Sequence, residues 1–432
     1  MSEDATLGEF VESESEDDIG KKEDWTIEKV KNHTKLISGA HVKSDNVNND
    51  SAGEPYLTGP DDFEGLGFRV TKYTDSPTKY CEPGDTLVTV KGSGCGKTAL
   101  SDQRACISRQ LKALRPESSI NFLHLYYSMK SKENFLQTLS EGSAIPGLSN
   151  SHLTTLDIPV PQLSEQRKIA TVLYTIDQAI EKTEEVLEQT HTVKKALMQN
   201  VFHGRHKDFG EYEQTPVGEI PSDWSVVTIG DVVQTAQYGI SESLSEEGQY
   251  PIFRMNNIEN GYVIDEPLKY IDLDNEEFEK YRVKEGDILF NRTNSLELVG
   301  KTGIYELEGD HVFASYLVRL QTNNKTTPYY LNYYMNSSEA QNRMMDFATK
   351  GVSQANINAN SIQQVKIPLP SLEEQKEIAE RIRSIDLQIE TNQQYKSQLQ
   401  RHRRGLMQDL LSGTVRTTDT NIEVPDEIVQ HG

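Results

Sequence analysis

The chain of 432 residues contains little cysteine and tryptophan and no long hydrophobic run. Its three cysteines, Cys81, Cys95 and Cys106, form no C-x-x-C pair, which excludes a disulfide framework and a four-cysteine zinc site. A reducing cytoplasm is therefore the expected location. No apolar segment approaches the ~20 residues that a membrane-spanning helix requires, so no membrane association is predicted. The first residues are acidic and lack the hydrophobic region of a secretory signal.

The chain is also short of basic residues, with 44 Lys and Arg against 67 Asp and Glu, a formal net charge of −23. Taken alone, this sign of charge argues against nucleic-acid binding. The charge is unevenly distributed, because residues 1–24 hold ten acids and two bases whereas residues 88–115 hold six bases and one acid. Two interpretations of the acidity stay open: a halophile-like surface suited to a salt-rich cytoplasm, or an ordinary acidic protein.

The most informative feature is an internal repeat. Residues 158–204 align without a gap on residues 367–413, and 17 of these 47 positions are identical. Both copies begin with the pattern P-x-x-x-E-Q-x-x-I-A. Looser similarity extends upstream, where Gly-Asp-Thr-Leu at 84–87 matches Gly-Asp-Ile-Leu at 286–289, and Gly-Lys-Thr recurs at 96–98 and 300–302. The chain is therefore one plan, a globular domain followed by a long helix, written twice.

This repeat predicts the domain order. We expect an acidic disordered tail (1–23), a first globular domain (24–157), a central conserved helix (158–204), a linker with a second globular domain (205–366), a C-terminal conserved helix (367–413) and a disordered polar tail (414–432). Both globular domains are predicted to be mixed α+β. Strands are expected at 85–90, 105–111, 286–290 and 313–320, and short helices at 120–129 and 328–335.

The two conserved segments are predicted to be long helices that pack against each other, because each carries a narrow apolar stripe with alternating spacings of four and three. The predicted inter-helix packing residues are Ile169, Leu173, Ile176, Ile180, Leu187, Ile378, Ile382, Ile385, Ile389 and Leu399. Ser371 with Glu374 fits a capping box, and Ser164 is a candidate cap for the first helix. Gly204 and Gly413 stand where a left-handed C-terminal residue is wanted. Helices over 164–202 and 373–411 would each be about 58 Å long.

No catalytic constellation is evident. The segment from Gly92 to Thr98 is similar to a phosphate-binding loop, but the G-x-x-x-x-G-K-[ST] pattern needs its first glycine five residues before the second, and Lys91 occupies that place. The second copy has no glycine-rich loop before Gly300. We therefore predict a turn between strands that presents Lys97, a non-enzymatic chain, and no metal or cofactor of its own. A nucleotide-dependent enzyme built on this loop stays an alternative.

Basic and amide side chains within the globular domains remain as candidates for DNA binding, since Arg matches the edge of guanine, and Asn and Gln match adenine. The alternative for each is a solvated surface residue or a turn former. The candidates are Lys91, Lys97, Arg104 and Arg109 in the first domain and Arg254, Asn256, Asn291, Arg292, Lys301, Gln354 and Asn356 in the second, with Asn257, Asn294 and Ser353 beside them.

The doubled P-x-x-x-E-Q-x-x-I-A motif, the Leu-Met-Gln before Gly204 and Gly413 and the linker from Gly218 to Trp224 resemble the conserved regions of type I restriction–modification specificity (S) subunits. The resemblance covers about residues 22–413. It implies two target recognition domains that each read half of a bipartite double-stranded DNA site, separated by two conserved helices packed as an antiparallel coiled coil. Because the two globular sequences differ, an asymmetric site is expected.

The same resemblance implies a subunit without catalytic activity. It would recruit two methyltransferase (M) subunits, which bring S-adenosylmethionine, and restriction (R) subunits, on which ATP is expected. A coiled-coil scaffold whose globular domains bind protein is the other alternative that the residues leave open.

Overall fold

The computed structural model describes residues 25–141, 147–208, 210–295, 298–350 and 354–429. The chain forms two compact units, one made of Met1–Glu185 with Gln394–Gly432 and the other of Val186–Gln393. Each unit therefore combines one globular domain with part of each long helix. In the described ranges, none of the helices has both the length and the hydropathy of a membrane span. The acidic tail predicted at 1–23 lies outside the described residues.

The first unit is a mixed α+β structure built around an antiparallel sheet of order β10-β9-β12-β2 and a second sheet of order β3-β7-β4-β11-β8. Its strands are β1 (Thr26–Lys29), β2 (Thr34–Ser38), β3 (Val47–Asn48), β4 (Glu54–Leu57), β5 (Phe63–Glu64), β6 (Gly67–Phe68), β7 (Tyr73–Thr74), β8 (Tyr80–Cys81), β9 (Thr86–Thr89), β10 (Thr98–Leu100), β11 (Ala105–Ile107), β12 (Leu111–Pro116) and β13 (Asp157–Val160). Its short helices are α1 (Phe122–Lys130), α2 (Glu133–Glu141) and α3 (Asn150–Thr154).

The two long helices are α4 (Leu163–Val201) and α10 (Leu372–Ser412). The second unit repeats the plan of the first, with a sheet of order β17-β26-β22-β24-β20-β19. Its strands are β14 (Tyr212–Thr215), β15 (Gly218–Pro221), β16 (Ser225–Thr228), β17 (Val233–Tyr238), β18 (Tyr250–Phe253), β19 (Ile258–Glu259), β20 (Tyr262–Val263), β21 (Lys269–Ile271), β22 (Ile288–Asn291), β23 (Thr293–Asn294), β24 (Thr302–Ile304), β25 (Val312–Phe313), β26 (Leu317–Thr322), β27 (Thr349–Lys350), β28 (Ala355–Asn356) and β29 (Lys366–Leu369). Its short helices are α5 (Ile229–Val232), α6 (Asn275–Tyr281), α7 (Pro328–Met335), α8 (Ser338–Met345) and α9 (Ala359–Gln363).

The strands predicted at 105–111 and 313–320 are each two strands that belong to different sheets. The break lies at Ser108 in the first unit and at Ala314 in the second, where the chain passes from β11 to β12 and from β25 to β26. Both halves of each segment are buried, but polar or exposed residues separate them: Ser108, Arg109 and Gln110 in the first unit and Ser315 and Tyr316 in the second. Hydrophobic patterning joined the halves because it does not show to which sheet a strand belongs.

The long helices pack against each other in antiparallel fashion within each unit, as predicted. In the first unit the Arg403 guanidinium lies 2.7 Å from Asp177, and the Lys396 ammonium lies 2.8 Å from Glu184. Residues later in α4 therefore pair with residues earlier in α10, which is the pattern of antiparallel helices. Every predicted packing residue is at least partly shielded from solvent. Ile169, Leu173, Ile180, Leu187, Ile378, Ile382 and Ile389 are buried, and Ile176, Ile385 and Leu399 are half-buried.

The helix ends match the predicted signals in part. Gly204 and Gly413 adopt φ values of +70° and +76°, the left-handed conformation expected of a C-terminal glycine. The Ser371 hydroxyl accepts the Glu374 N–H at 3.3 Å, but the Glu374 carboxylate accepts the Trp224 indole instead of completing a capping box. Ser164 is no cap, because α4 already begins at Leu163.

The disorder predicted for the polar C-terminal tail is wrong for residues 414–429. The Lys168 ammonium donates to the carbonyl oxygens of Thr417, Thr418 and Thr420. The short helix α11 (Asp426–Val429) places Ile428 in the core of the first unit, where the Ile428 carbonyl accepts the Asn121 amide at 2.8 Å. The polar composition concealed a segment whose backbone groups bind the surface of the domain.

Candidate nucleic-acid interface

The repeated Glu-Gln motif joins the start of each long helix to its globular domain. Glu165 accepts the Trp25 indole N–H at 3.0 Å, and the equivalent Glu374 accepts the Trp224 indole N–H at 3.1 Å. A buried carboxylate needs such donors because burial without hydrogen bonds is costly. The two tryptophans of the chain therefore occupy equivalent places.

The glutamine of the motif fixes a second element. The Gln166 amide donates to the Pro161 carbonyl at 2.8 Å and accepts the backbone N–H of Asn121, the residue that caps α1. The Gln375 amide repeats this arrangement with the Pro370 carbonyl at 3.0 Å and the backbone N–H of Thr327, the cap of α7. The motif thus sets the angle between the long helix and the domain helix.

An aspartate in the middle of each long helix completes this shared frame. Asp177 accepts the Tyr127 hydroxyl at 2.9 Å and pairs with Arg403. Its equivalent, Asp386, accepts the Tyr262 hydroxyl at 3.1 Å and lies 2.5 Å from the Lys194 ammonium. In each unit this aspartate forms an ion pair between the two helices and accepts a tyrosine hydroxyl of the domain.

The frame carries one sheet edge in each unit at which loops converge. In the antiparallel sheet of the first unit, β2 and β9 end where β12 begins. The second unit has the same arrangement of β17, β22 and β26. We call this end the loop edge. It comprises Ser38, Val90, Lys91, Arg109, Gln110 and Gly147 in the first unit and Tyr238, Arg292, Thr293, Ser315, Tyr316 and Asn356 in the second.

Hydrogen bonds establish that the two loop edges are equivalent. The Val90 N–H donates to the Gln110 carbonyl at 2.7 Å, as the Arg292 N–H does to the Tyr316 carbonyl at 3.1 Å. The Val90 carbonyl accepts the Leu148 N–H, as the Arg292 carbonyl accepts the Ile357 N–H, both at 2.9 Å. Val90 and Arg292 are therefore the same position of the fold, occupied by different side chains.

In both units the residue that follows the first strand of the loop edge must be glycine for a steric reason. A Cβ atom at Gly39 would lie 2.0 Å from the Ser108 carbonyl oxygen, and one at Gly239 would lie 2.3 Å from the Phe313 carbonyl oxygen. Only glycine permits this approach of one backbone to another. The residue before each glycine, Ser38 or Tyr238, is thereby brought to the edge.

The loop edge of the second unit combines a guanidinium with aromatic rings. The Arg292 guanidinium lies over the Tyr238 ring, 4.8 Å from its centroid. Its Nη atoms donate to the Ser315 carbonyl at 3.2 Å and to the Asn356 side-chain oxygen at 3.3 Å. Tyr238 and Tyr316 remain 41% and 45% exposed, which is unusual for aromatic residues and marks a surface open to a partner.

The loop edge of the first unit is basic and lacks aromatic residues. Lys91, Arg109 and Gln110 are exposed. Burial, and then the nearby charge of Lys91, lower the pKa of Lys112 beside this edge. Such a surface attracts anions even though the chain as a whole is acidic.

The predicted turn from Gly92 to Thr98 is confirmed, and the nucleotide-binding alternative is not supported. Thr89 and Lys97 pair through the backbone, the Gly96 N–H donates to the Thr89 carbonyl, and strand β10 follows where a phosphate-binding loop needs a helix. Asn291 and Lys301 pair in the same way in the second unit. Lys97 and Lys301 are both exposed and occupy equivalent positions beside the loop edges.

The remaining predicted residues have structural partners or lie farther along the surface. The Arg104 guanidinium lies 3.9 Å from the Tyr80 ring centroid and 3.8 Å from Glu82. The half-buried Arg254 donates to the Pro267 carbonyl, and the buried Asn291 donates to the Leu298 carbonyl.

The amide candidates of the second unit divide in the same way. Asn257 is buried and bonded to the Ile264 and Pro267 carbonyls. Asn256 and Gln354 are exposed, and Asn294 is half-buried in β23. Ser353 lies outside the described residues. Gln354 immediately precedes β28, which carries Asn356 of the loop edge.

Sequence reasoning missed Tyr238 and Tyr316. A signal existed, since Gly39 and Gly239 recur in the two halves and the residue before each differs. The repeat was too weak in this region for the two halves to be aligned without the strand register.

The two halves match a single family model. Residues 22–189 and 221–401 both match the type I restriction modification DNA specificity domain. The chain belongs to this family. This chain is 28% identical to the MjaVIII specificity subunit of Methanocaldococcus jannaschii, and the match covers 92% of this chain and 95% of that protein. It is 24% identical to the EcoKI specificity subunit of Escherichia coli strain K12, over 94% and 92% of the two chains.

The fold agrees with this membership. A crystal structure of the S subunit of a type I restriction–modification system from M. genitalium superimposes with a TM-score of 0.60, covering 90% of this chain and 96% of that one at 17% identity. As a member of the family that the sequence shows, the chain recognises DNA, and it has two similar target recognition domains and an antiparallel pair of long helices.

Proposed function

We propose that the two loop edges read the two halves of a bipartite, asymmetric DNA site and that the chain performs no chemistry itself. The observation that carries this proposal is one exposed fold position with two different side chains, Gln110 in the first unit and Tyr316 in the second, on a shared frame. At the adjoining position the buried Val90 corresponds to the half-buried Arg292. A frame that is kept while its edge varies suits a scaffold that presents different reading groups. Base edges are distinguished by such differences in donors and acceptors.

Basic residues without a carboxylate partner also support DNA binding at the loop edges. Among the described residues, Lys91, Lys97, Arg109, Arg292 and Lys301 have no carboxylate within 4.0 Å, although acids outnumber bases in the chain. Some basic residues elsewhere are paired, such as Arg115, whose guanidinium is bonded to both oxygens of Asp85, and others that the structure describes, such as Lys35 and Arg69, are not. The loop-edge cations are therefore distinguished by sharing one edge of the fold or lying beside it. Cations that stay unpaired in an acidic protein are available to phosphates and base edges.

Catalysis would then belong to partner subunits. The proposal includes two M subunits, which bind S-adenosylmethionine and methylate adenine, and R subunits that bind ATP. It also places the complex in the cytoplasm, where the DNA is, which agrees with three free, buried cysteines. The net charge of −23 suggests that the M subunits supply part of the positive field around the duplex.

Base-resolution mapping of adenine methylation in the host tests the proposal. Deleting the gene should abolish methylation at one split, asymmetric motif, and restoring the wild-type gene should restore it. An unchanged methylation pattern would instead favour a protein-binding scaffold. The assembled methylase should also bind DNA with a shallow salt dependence, and a steep slope would contradict the proposed division of charge.

A further inference from the structure

We infer that Arg292 reads a guanine in the half-site bound by the second unit, and that Tyr238 and Asn356 hold its guanidinium for that purpose. The inference rests on the proposed function, in which the loop edges face DNA. It adds the identity of one base, the unit that reads it and the residues that position the reading group.

The guanidinium is fixed in one plane. Tyr238 covers one face of the group with its centroid at 4.8 Å, and the Tyr238 hydroxyl itself accepts the Ala359 backbone N–H at 2.9 Å. The Ser315 carbonyl and the Asn356 side-chain oxygen each hold one Nη atom. A planar group with restricted rotation loses little entropy when it forms two parallel hydrogen bonds.

Asn356 is a positioning residue in this arrangement. Its side-chain oxygen accepts Arg292, and its side-chain nitrogen donates to the Thr293 hydroxyl at 2.7 Å. Thr293 and Asn356 are also paired between strands β23 and β28, so the amide is held by backbone and side chain alike. Because each end of the amide has a partner within the domain, we assign Asn356 the role of holding Arg292.

The hydrogen bonds within the protein leave Arg292 with N–H groups that can donate to DNA. A guanidinium has five N–H groups, and the protein takes one from each Nη, which leaves one free hydrogen on each of these atoms. Because no described carboxylate lies within 4.0 Å, the group keeps its charge for an external acceptor. Guanine O6 and N7 are a pair of acceptors with the spacing of this fork.

The second loop edge also offers apolar surface beside the guanidinium. Tyr238 and Tyr316 are both exposed at this edge, and the Arg292 guanidinium stacks on the Tyr238 ring. Because apolar side-chain atoms contact the thymine methyl group in the major groove, the edge presents both polar and apolar contacts that suit base edges. The first unit has Ser38, Val90, Gln110 and Gly147 at the equivalent positions, so this device belongs to the second half-site.

The test uses the complete methylase with Arg292→Gln, and with Arg292→Lys as a variant that keeps the charge. Methylation mapping should show that one G·C position in one half-site tolerates other bases, while the other half-site is unchanged. In binding assays the preference for G at that position should fall by about tenfold to a hundredfold. Arg205→Gln is the matched control, because it removes one charge from an exposed pair with Glu219.

Modified DNA separates base reading from other effects. Replacing the guanine by 7-deazaguanine removes the N7 acceptor and should weaken wild-type binding but not that of Arg292→Gln. Asn356→Ala should show an intermediate relaxation at the same position. Equal loss of affinity for all sequences would identify a phosphate contact, and an unchanged motif would remove Arg292 from recognition; either result overturns the inference. If deletion of the gene leaves methylation intact, the proposed function fails first.

Discussion

In the first unit the motif carboxylate, Glu165, is bonded to both the Nε and Nη2 atoms of Arg416, at 2.9 and 2.8 Å. In the second unit the equivalent Glu374 has His206 3.5 Å away, and the residue that corresponds to Arg416, Lys207, pairs with Glu377 instead. The tryptophan bond is the same in both. The two units therefore share the bond from tryptophan to the motif glutamate, but the basic partner of that glutamate differs between them.

The loop edges differ more than the frame does. One edge presents lysine and arginine, and the other presents an arginine between tyrosines. A packed frame tolerates few substitutions because each buried group has a fixed partner, whereas an exposed edge is free to vary. Sequence differences between the halves at the loop edge are therefore informative about DNA recognition, whereas differences within the frame concern stability.

The largest expected effect is a difference in stability between the two units when the motif glutamate is replaced. Glu165→Gln should lower the free energy of unfolding of the first unit by about 3 kcal/mol, because it leaves the Arg416 guanidinium without its carboxylate. Glu374→Gln should change the free energy of unfolding of the second unit by less than about 1 kcal/mol, since the amide still accepts the Trp224 indole and is not subject to the burial that disfavours the ionised carboxylate. Because Trp25 and Trp224 are the two tryptophans of the chain, denaturation followed by fluorescence in Trp25→Phe or Trp224→Phe backgrounds reports each unit separately. Equal costs would contradict the charge asymmetry.

The same two carboxylates should give opposite pH dependences. Burial acts to raise the pKa of Glu165, but hydrogen bonds from Arg416, Thr417 and Trp25 outweigh it and hold the pKa below the ordinary 4.5. The stability that Glu165 contributes is thus present above pH 4.5 and lost as the pH falls through the lowered value. Glu165→Gln should flatten this acid loss in the first unit.

For Glu374, burial raises the pKa above 4.5. The folded state then binds more protons than the unfolded state, so the second unit loses stability as the pH rises from 4.5 through the raised value. Glu374→Gln should remove this loss, as measured by the unfolding midpoint of Trp224 fluorescence between pH 4 and 7. A midpoint that rises with pH in this window for the wild type, and not for the variant, would contradict the sign.

A smaller effect on DNA binding is expected from a lysine that both units share, Lys97 in the first unit and Lys301 in the second. Lys97→Ala and Lys301→Ala should each weaken binding of the methylase several-fold for every DNA sequence, because an equivalent lysine beside both edges suits a phosphate contact. Each substitution should reduce the salt slope by about 0.9. Binding titrations at several salt concentrations, on cognate and non-cognate duplexes, measure both quantities. A change of sequence preference in either variant would place the lysine among the base-reading residues.

The smallest effect compares two arginines of the first unit. Arg109 is exposed at the loop edge without a carboxylate partner, whereas Arg104 stacks on Tyr80 and lies near Glu82. Arg109→Gln should lower DNA affinity several-fold, and Arg104→Gln should change it by less than about twofold, as expected for an exposed pair. The same duplex titration measures both, and a larger effect of Arg104 would extend the interface toward Tyr80.

The repeat and the two long helices could be predicted because each depends on local spacing. Ile169 and Ile378 report helical periodicity whatever surrounds them, and Gly204 and Gly413 report a helix end. The frame contacts could not be predicted, since Trp25 and Glu165 are separated by 140 positions in the chain. The docked tail was missed for the same reason: its partners, Lys168 and Asn121, are far away in sequence.

By itself, the sequence determined that this protein is a doubled domain with two helical spacers and placed it near one family, because identity at a constant offset survives without any knowledge of the fold. Only the tertiary structure decided which polar residues share an edge. Val90 and Arg292 become equivalent through their strand partners, and Asn291 and Arg292, adjacent in the chain, separate into a buried and a half-buried residue. The physical reason is that Asn291 is the last residue of the buried strand β22, whereas Arg292 lies between β22 and β23, where the chain leaves the sheet; adjacency in the chain therefore says little about exposure to DNA.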